Sequence, residues 1–412
     1  MSEIIEPIVL DSTANAIKDA ILRVASAINP KQGVIYGFHV NSNEADPSGA
    51  VTYLADAVGM TPAHMNYSTG KFDYGSWKDA FFMPRPCMLS TNGTVAYYLN
   101  ENDFSKKVDG TASDIANTSF DGNAMMEWGK DGKKIWYKLV PDSGDPTSYS
   151  VYIADHEVDS TYHAWSFTNK DNQLVDHFYT ACYTGSLIDG KLRSLSGQSL
   201  MHSQSGTAEI SYAKANGDYY NTEHWADTSL IFFLLYLMGK SLDVQTVFGN
   251  GHMSGGSSAE SLIPSGQLND KGLFCGYNDG THKVKVFGME DLWGEQWRRT
   301  QGFMLNNGIY YYKLTEGTAD GSTANGYRTT DTNGMLSGGS SPTANGYVSK
   351  MKVVGDTFVP SEVTGASNKY YCEDIKANKK DFNLFLIDSI IIEAKNSGIL
   401  DQTFGKKENR RQ

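Results

Sequence analysis

Three carboxylates, Glu290, Asp291 and Glu295, crowd into the stretch FGMEDLWGEQWRR (287–299) with Trp293, Trp297, Arg298 and Arg299. Paired carboxylates can cleave a glycosidic bond, one as acid and the other as base or nucleophile. Asp109, Asp114 and Asp121 add further acids upstream. Chain spacing fixes neither their separation nor their protonation, and in an acidic protein the expectation for such residues is a solvated face. Nine histidines (His39, His64, His156, His163, His177, His202, His224, His252 and His282) are scattered without an HExxH or other ligand spacing. The chain lacks the GxSxG elbow, the phosphate-cradling GxxxxGK[ST] and a GxGxxG after a strand. The oxygen-rich DPSGAVTYLAD and DTNGM do not follow the calcium-loop pattern and read as turns. The expectation is a protein that is not an enzyme, with no catalytic residue, no metal and no cofactor.

The positive feature is composition. Asn, Tyr, Ser and Gly dominate 306–347 and 365–372, a mixture suited to contact surfaces, because tyrosine gives large amphipathic area at low entropy cost and small polar residues adapt. The candidate ligand-binding residues are Asn306, Asn307, Tyr310, Tyr312, Asn325, Tyr327, Asn345, Tyr347, Tyr370 and Tyr371. TANGY occurs at 323–327 and again at 343–347, within a long polar segment that is either a binding loop or a solvated insertion. Against the binding reading, IYYYKL is also a strand with alternate tyrosines inward. Tyr311 should then face opposite to Tyr310 and Tyr312, with at least one of the three in the core. Trp293 and Trp297 are four apart, which puts them on one side of a helical turn if the segment is helical.

The elements that position these residues follow from periodicity. Residues 11–28 carry Ile17, Ile21, Val24 and Ile28 at helical spacing, a short amphipathic helix that docks on the next domain or pairs with copies of itself. TVAYYLN (94–100), KKIWYKLV (133–140) and SYSVYIAD (148–155) read as strands, the last two joined as a hairpin. Between about 194 and 248 two helices follow, TAEISYAKANG and NTEHWADTSLIFFLLYLMGK, the second capped by Asn221 or Thr222 and ended by Gly239. Short strands with long loops resume after the glycine-rich VFGNGHMSGGSS. The fold class is α+β: an N-terminal helix (1–32), a β-rich domain (33–190), a long-looped domain (191–380) and a tail (381–412).

At 412 residues the chain can bury a sizeable core. Its net charge of -12 would be repelled by nucleic acid and by an anionic membrane, so neither is an expected partner. The longest apolar run, LIFFLLYLM (230–238), is about half the roughly 18 residues a spanning helix needs, so it reads as a buried core helix. MSEIIEPIVLDS has acids where a secretory signal carries a basic flank, so synthesis in the cytosol without that route of export is expected. Cys87, Cys182, Cys275 and Cys372 fall singly and read as free thiols.

The series glycine, two residues, acid, Leu292, Trp293, Gly294, two residues, Trp297 resembles the GxxDLWGNVWEW signature of the C-type-lectin-like fold shared by formylglycine-generating-enzyme relatives and phage receptor-binding proteins. Glu295 and Gln296 stand in place of Asn-Val, and Arg298 and Arg299 in place of Glu-Trp. Upstream, AVGMTPAHMNYSTGKFDYGSW, DGTASDIANTSFDGNAMMEW and KLRSLSGQSLMHSQSGTAEISYAKANGDYY resemble segments preceding this domain in tail-associated proteins of phages and prophages of gut Firmicutes, some of them diversified by retroelements. The resemblance covers roughly residues 30–372. It implies a C-type-lectin-like domain over 191–380, with Trp293 and Trp297 as core supports beneath a loop-built ligand surface. It also implies a virion location, a host cell-surface glycan or protein as partner, contacts with other virion proteins and a homotrimer. A glycan depolymerase on the same scaffold and a structural neck or tail-assembly protein are the alternatives. The chain departs from diversified members after Cys372, where no tryptophan follows. It also departs from the oxidising enzymes, whose copper-binding cysteine pair has no counterpart in Cys275 and Cys372, 97 residues apart.

Overall fold

The computed structural model describes residues 33–169, 171–217, 220–252, 262–296, 300–306, 308–315, 334–342 and 346–364, and the short strands Lys376–Ala377, Leu384–Phe385 and Ile392–Ala394. The expected helix at 11–28 lies outside them.

The protein is β-rich with few helices. Two antiparallel sheets dominate. One has four strands in the order Val51–Ala55, Ile35–Val40, Asp145–Ala154, Trp136–Asp142. The other has seven: Tyr220–Thr222, Ile392–Ala394, Phe178–Ala181, Gly122–Trp128, Arg85–Ser90, Val95–Asn100, Asp103–Lys107. The three strands expected from alternation are present as Val95–Asn100, Trp136–Asp142 and Asp145–Ala154, and the last two pair antiparallel. Gly122–Trp128 is buried at every position, because it is an interior strand covered on both faces.

The helix Trp225–Gly239 buries all fifteen of its residues, as an all-round apolar helix must. It starts later than expected. Asn221 and Thr222 belong to a strand that pairs with Ile392–Ala394, and His224 caps the helix instead, its Nδ1 accepting from Ala226 N at 3.2 Å. At the other end Gly239 is the last helical residue, where a Cβ would lie 2.9 Å from Val247 Cγ1, and Lys240 takes the left-handed conformation at φ 49°. The carbonyl of Met238, left over by the helix, accepts from Ala63 N at 2.8 Å.

One hydrophobic cluster runs from Phe38 to Val359, and residues on both sides of the expected boundary at 190 share it. Phe72 stacks on Phe274 with centroids 4.4 Å apart, and Trp128 meets Phe287 at 5.3 Å. The tail expected as separate contributes Ile392–Ala394 to the seven-stranded sheet.

Candidate functional site

The GMEDLWG segment forms a tight hairpin, Lys285–Val286 against Met289–Glu290, and then bends of irregular backbone. The chain reverses through Phe287 (φ 49°) and Gly288 (φ 79°), both left-handed as a tight two-residue hairpin turn requires. A Cβ on Gly288 would lie 2.5 Å from Met126 Sδ, so glycine is needed for space as well as conformation. Asp291 (φ 60°) and Glu295 (φ 58°) are also left-handed. Non-glycine residues hold that conformation at a cost of order 1 kcal/mol each and keep it only where surroundings over-determine it.

The surroundings are charges. Glu290, Asp291 and Glu295 are each at most 1% exposed, and Lys283 and Lys285 at most 2%. The expectation of a solvated acidic face therefore fails for these three residues, while Asp109 and Asp121 are exposed as expected. Lys283 donates to Asp291 and lies 3.3 Å from Glu295 Oε1, which is 2.9 Å from His252 Nδ1. Glu290 accepts from the backbone amides of Gly266 and Leu268, both at 2.8 Å. Glu295 Oε2 accepts from Ile263 N at 3.2 Å. The Lys285 ammonium donates to Leu268 O at 3.0 Å and sits 3.5 Å over the Phe104 ring. Two carboxylates and one ammonium thus pin the backbone of 263–268, a stretch without regular structure that needs side chains to satisfy its polar groups.

Burial raises the Asp291 carboxyl to about 7, with Glu295 and Glu290 adding to the rise and Lys283 opposing it. Burial lowers Lys285 to about 8 against the pull of Glu290. Burial alone would also lower Lys283, but Asp291, Glu295 and Glu290 outweigh it and hold its pKa up. A carboxyl and an amine poised near neutrality are the raw material of acid–base catalysis. Neither side chain reaches solvent, however, so neither can touch a polymer.

Trp293 is 1% exposed and donates from Nε1 to Gly249 O at 2.8 Å. A Cβ on Gly251 would lie 2.9 Å from the Trp293 backbone oxygen and 3.2 Å from its indole Cδ1, so Trp293 stands against a position with little room for a side chain. Among the described residues no helix forms around Trp293, so the condition under which the two tryptophans would share one side of a helical turn is not met there, and Trp297 lies outside the described residues.

Downstream, Phe303–Asn306, Ile309–Tyr312 and Leu336–Ser340 form a three-stranded sheet. The tyrosines alternate as expected, but the inward pair is Tyr310 (1% exposed) and Tyr312 (4%), two residues expected to meet ligand. This is a correction: Tyr310 packs 5.3 Å from Phe303, so its ring supports the sheet from inside. Tyr311 is the half-buried one, paired with Ser337 and Met304. Asn306 ends its strand, and Tyr347 lies in the strand Gly346–Val354 opposite Thr364. Asn307, Asn325, Tyr327, Asn345, Tyr370 and Tyr371 lie outside the described residues.

Sequence reading missed a second polar grouping, on one face of the seven-stranded sheet. Tyr179 pairs with Glu127, and Glu127 with Arg85, across three adjacent strands. Glu127, 2% exposed, accepts from Arg85 Nη2 at 2.5 Å, Tyr98 OH at 3.0 Å and Tyr179 OH at 3.0 Å. The Arg85 guanidinium lies 4.3 Å from the Tyr98 ring centroid. The signal available in sequence was slight: an arginine between two prolines at the head of an apolar run. Cys87, Cys182 and Cys275 are buried free thiols. Among the described residues, no group of three His, Cys, Asp or Glu is placed to hold a metal ion, and no helix is long and apolar enough to cross a membrane.

No protein-family model matches the chain, and no curated protein does.

Proposed function

We propose that this chain is a phage virion adhesion protein, a tail-fibre or tail-tip component that binds a host cell-surface glycan or protein non-covalently through a C-type-lectin-like domain, as a homotrimer. The supporting observation is that Glu290, Asp291 and Glu295, the carboxylates clustered beside Trp293, are buried where no polymer reaches them, whereas Asp109 and Asp121 lie exposed. Glu290, Asp291 and Glu295 are engaged with lysines and backbone amides inside the protein, and serve as scaffold. What a rigid scaffold of this kind can present is the Asn- and Tyr-rich sequence after it, and repeated copies on a particle would multiply weak contacts into firm attachment. With Tyr310 and Tyr312 turned inward, the contact residues are Tyr311 together with Asn306, Asn307, Asn325, Tyr327, Asn345, Tyr347, Tyr370 and Tyr371.

The test is retention of the labelled full chain on intact Firmicute cells and on their purified wall polysaccharide. Saturable retention that falls tenfold or more in Asn325→Ala/Tyr327→Ala, with an unchanged unfolding transition, is the expected result. Absence of retention on every cell and wall fraction overturns the proposal, and shortening of the polysaccharide during incubation replaces it with the depolymerase.

A further inference from the structure

A cleft of about 450 Å³ opens beside the Glu127 grouping, at the end of the seven-stranded sheet; the described residues lining it include Arg85, Tyr98, Asn100, Glu101 and Val108. Its size lies within the range of small-molecule sites. Three features of its wall are unusual for a surface crevice. Arg85 is fixed on both sides, by the buried Glu127 carboxylate and by the Tyr98 ring, so it holds its position before any ligand arrives. Its Nη2 also donates to Tyr98 OH at 2.9 Å, which ties the guanidinium to the strand beside it. Val108 is 69% exposed, an apolar side chain standing free at the rim.

The chemistry of the wall selects the ligand. Asn100 Oδ1 accepts from Asn102 N at 2.9 Å, and its amide NH₂ is a donor. Arg85 supplies further donors, and the exposed Glu101 supplies an acceptor. Donors and an acceptor on one wall match adjacent hydroxyl groups, which both give and take hydrogen bonds. Charge disfavours an anion: Arg85 is neutralised by Glu127, and Glu101 adds a negative rim, so an anionic ligand gains no net attraction. The exposed Val108 offers the apolar surface that the C–H face of a pyranose ring covers.

We infer that this cleft is a binding site for a neutral hexose, held by Arg85, Asn100 and Glu101 with Val108 against the ring. The inference does not rest on the adhesion reading, since the cleft is built from different strands than the 306–371 segments and binds whether or not those segments meet a receptor.

Saturation-transfer NMR on the full chain with methyl glucoside, galactoside and mannoside, and with methyl glucuronide as the anionic comparison, tests it. Transfer to at least one neutral hexoside is expected, with little to the glucuronide. Val108→Trp, which fills the cleft from its rim without touching the Arg85–Glu127 pair, should abolish the transfer while leaving the unfolding midpoint in place, and Asn100→Ala should weaken it about fivefold, as expected for one hydrogen bond. Absence of transfer from every hexoside, transfer that survives Val108→Trp, or stronger transfer to the glucuronide overturns the inference. Cell retention, measured separately with Asn325→Ala/Tyr327→Ala, reports on the adhesion reading alone.

Discussion

The two charged groupings of this protein are built from similar parts and differ in one respect, access to water. Around Asp291 every carboxylate and ammonium is sealed inside, and the charges tie an irregular stretch of backbone to a hairpin. Around Glu127 the carboxylate is equally buried, but its cation, Arg85, is 30% exposed at the side chain and faces a cleft. A sealed ion cluster can only organise the fold. A half-open one organises its own arginine and leaves donors over for something else.

Four substitutions and a pH series can break or sharpen this contrast. Trp293→Ala removes the support behind the sealed cluster and should cost about 5 kcal/mol in denaturant unfolding, the upper end for a large core aromatic. Glu290→Gln strips the counter-charge from Lys285 and weakens the hold on Gly266 and Leu268. Two charge-assisted hydrogen bonds of this kind are together worth about 3 kcal/mol, and a loss under about 1 kcal/mol would mean that the cluster is not what holds 263–268. Glu127→Gln should cost less, about 2 kcal/mol, the value of charge-assisted hydrogen bonds whose cation can turn to water.

The pH dependence separates the two sites further. The folded-state pKa of Asp291 is raised to about 7 from 3.8, so the folded protein holds that proton more tightly than the unfolded chain. Its contribution is complete below about pH 4 and is lost as pH rises through about 7. In thermal melts from pH 5 to 8 the wild type should therefore lose stability relative to Asp291→Asn, and parallel curves would refute the assignment. The smallest effect belongs to Tyr98→Phe, which deletes one hydroxyl from Glu127 and should cost about 1 kcal/mol, read by the same denaturant assay.

The legible parts of the sequence were those whose causes are local. Strands read at 94–100, 133–140 and 148–155 are present, with shifted ends, as Val95–Asn100, Trp136–Asp142 and Asp145–Ala154, and an unbroken apolar run marked the central helix. Alternation also said that Tyr311 opposes Tyr310 and Tyr312, but not which face is inward, because that depends on what packs behind the sheet. The start of the central helix was misplaced for a similar reason: Asn221 and Thr222 are good caps, yet a strand 170 residues away recruits them into a sheet. HKVKVF gave no warning that both lysines would be buried. Alternation with valine reads as a half-exposed strand, and only the arrival of Glu290, Asp291 and Glu295 from across a turn makes burial of Lys283 and Lys285 tolerable.

The same recruiting strand has a consequence for how the molecule comes into being. Ile392–Ala394 lies between Phe178–Ala181 and Tyr220–Thr222, pairing Tyr179 and Tyr220 alike with Ala394. During synthesis both flanking strands leave the ribosome long before their shared neighbour exists. Until then each has a bare edge of unpaired amides and carbonyls. The sheet is thus an arch whose keystone is the last of its seven strands to be made, so its closure must wait on translation and a nascent chain halted before residue 392 offers its open edges to any other strand nearby.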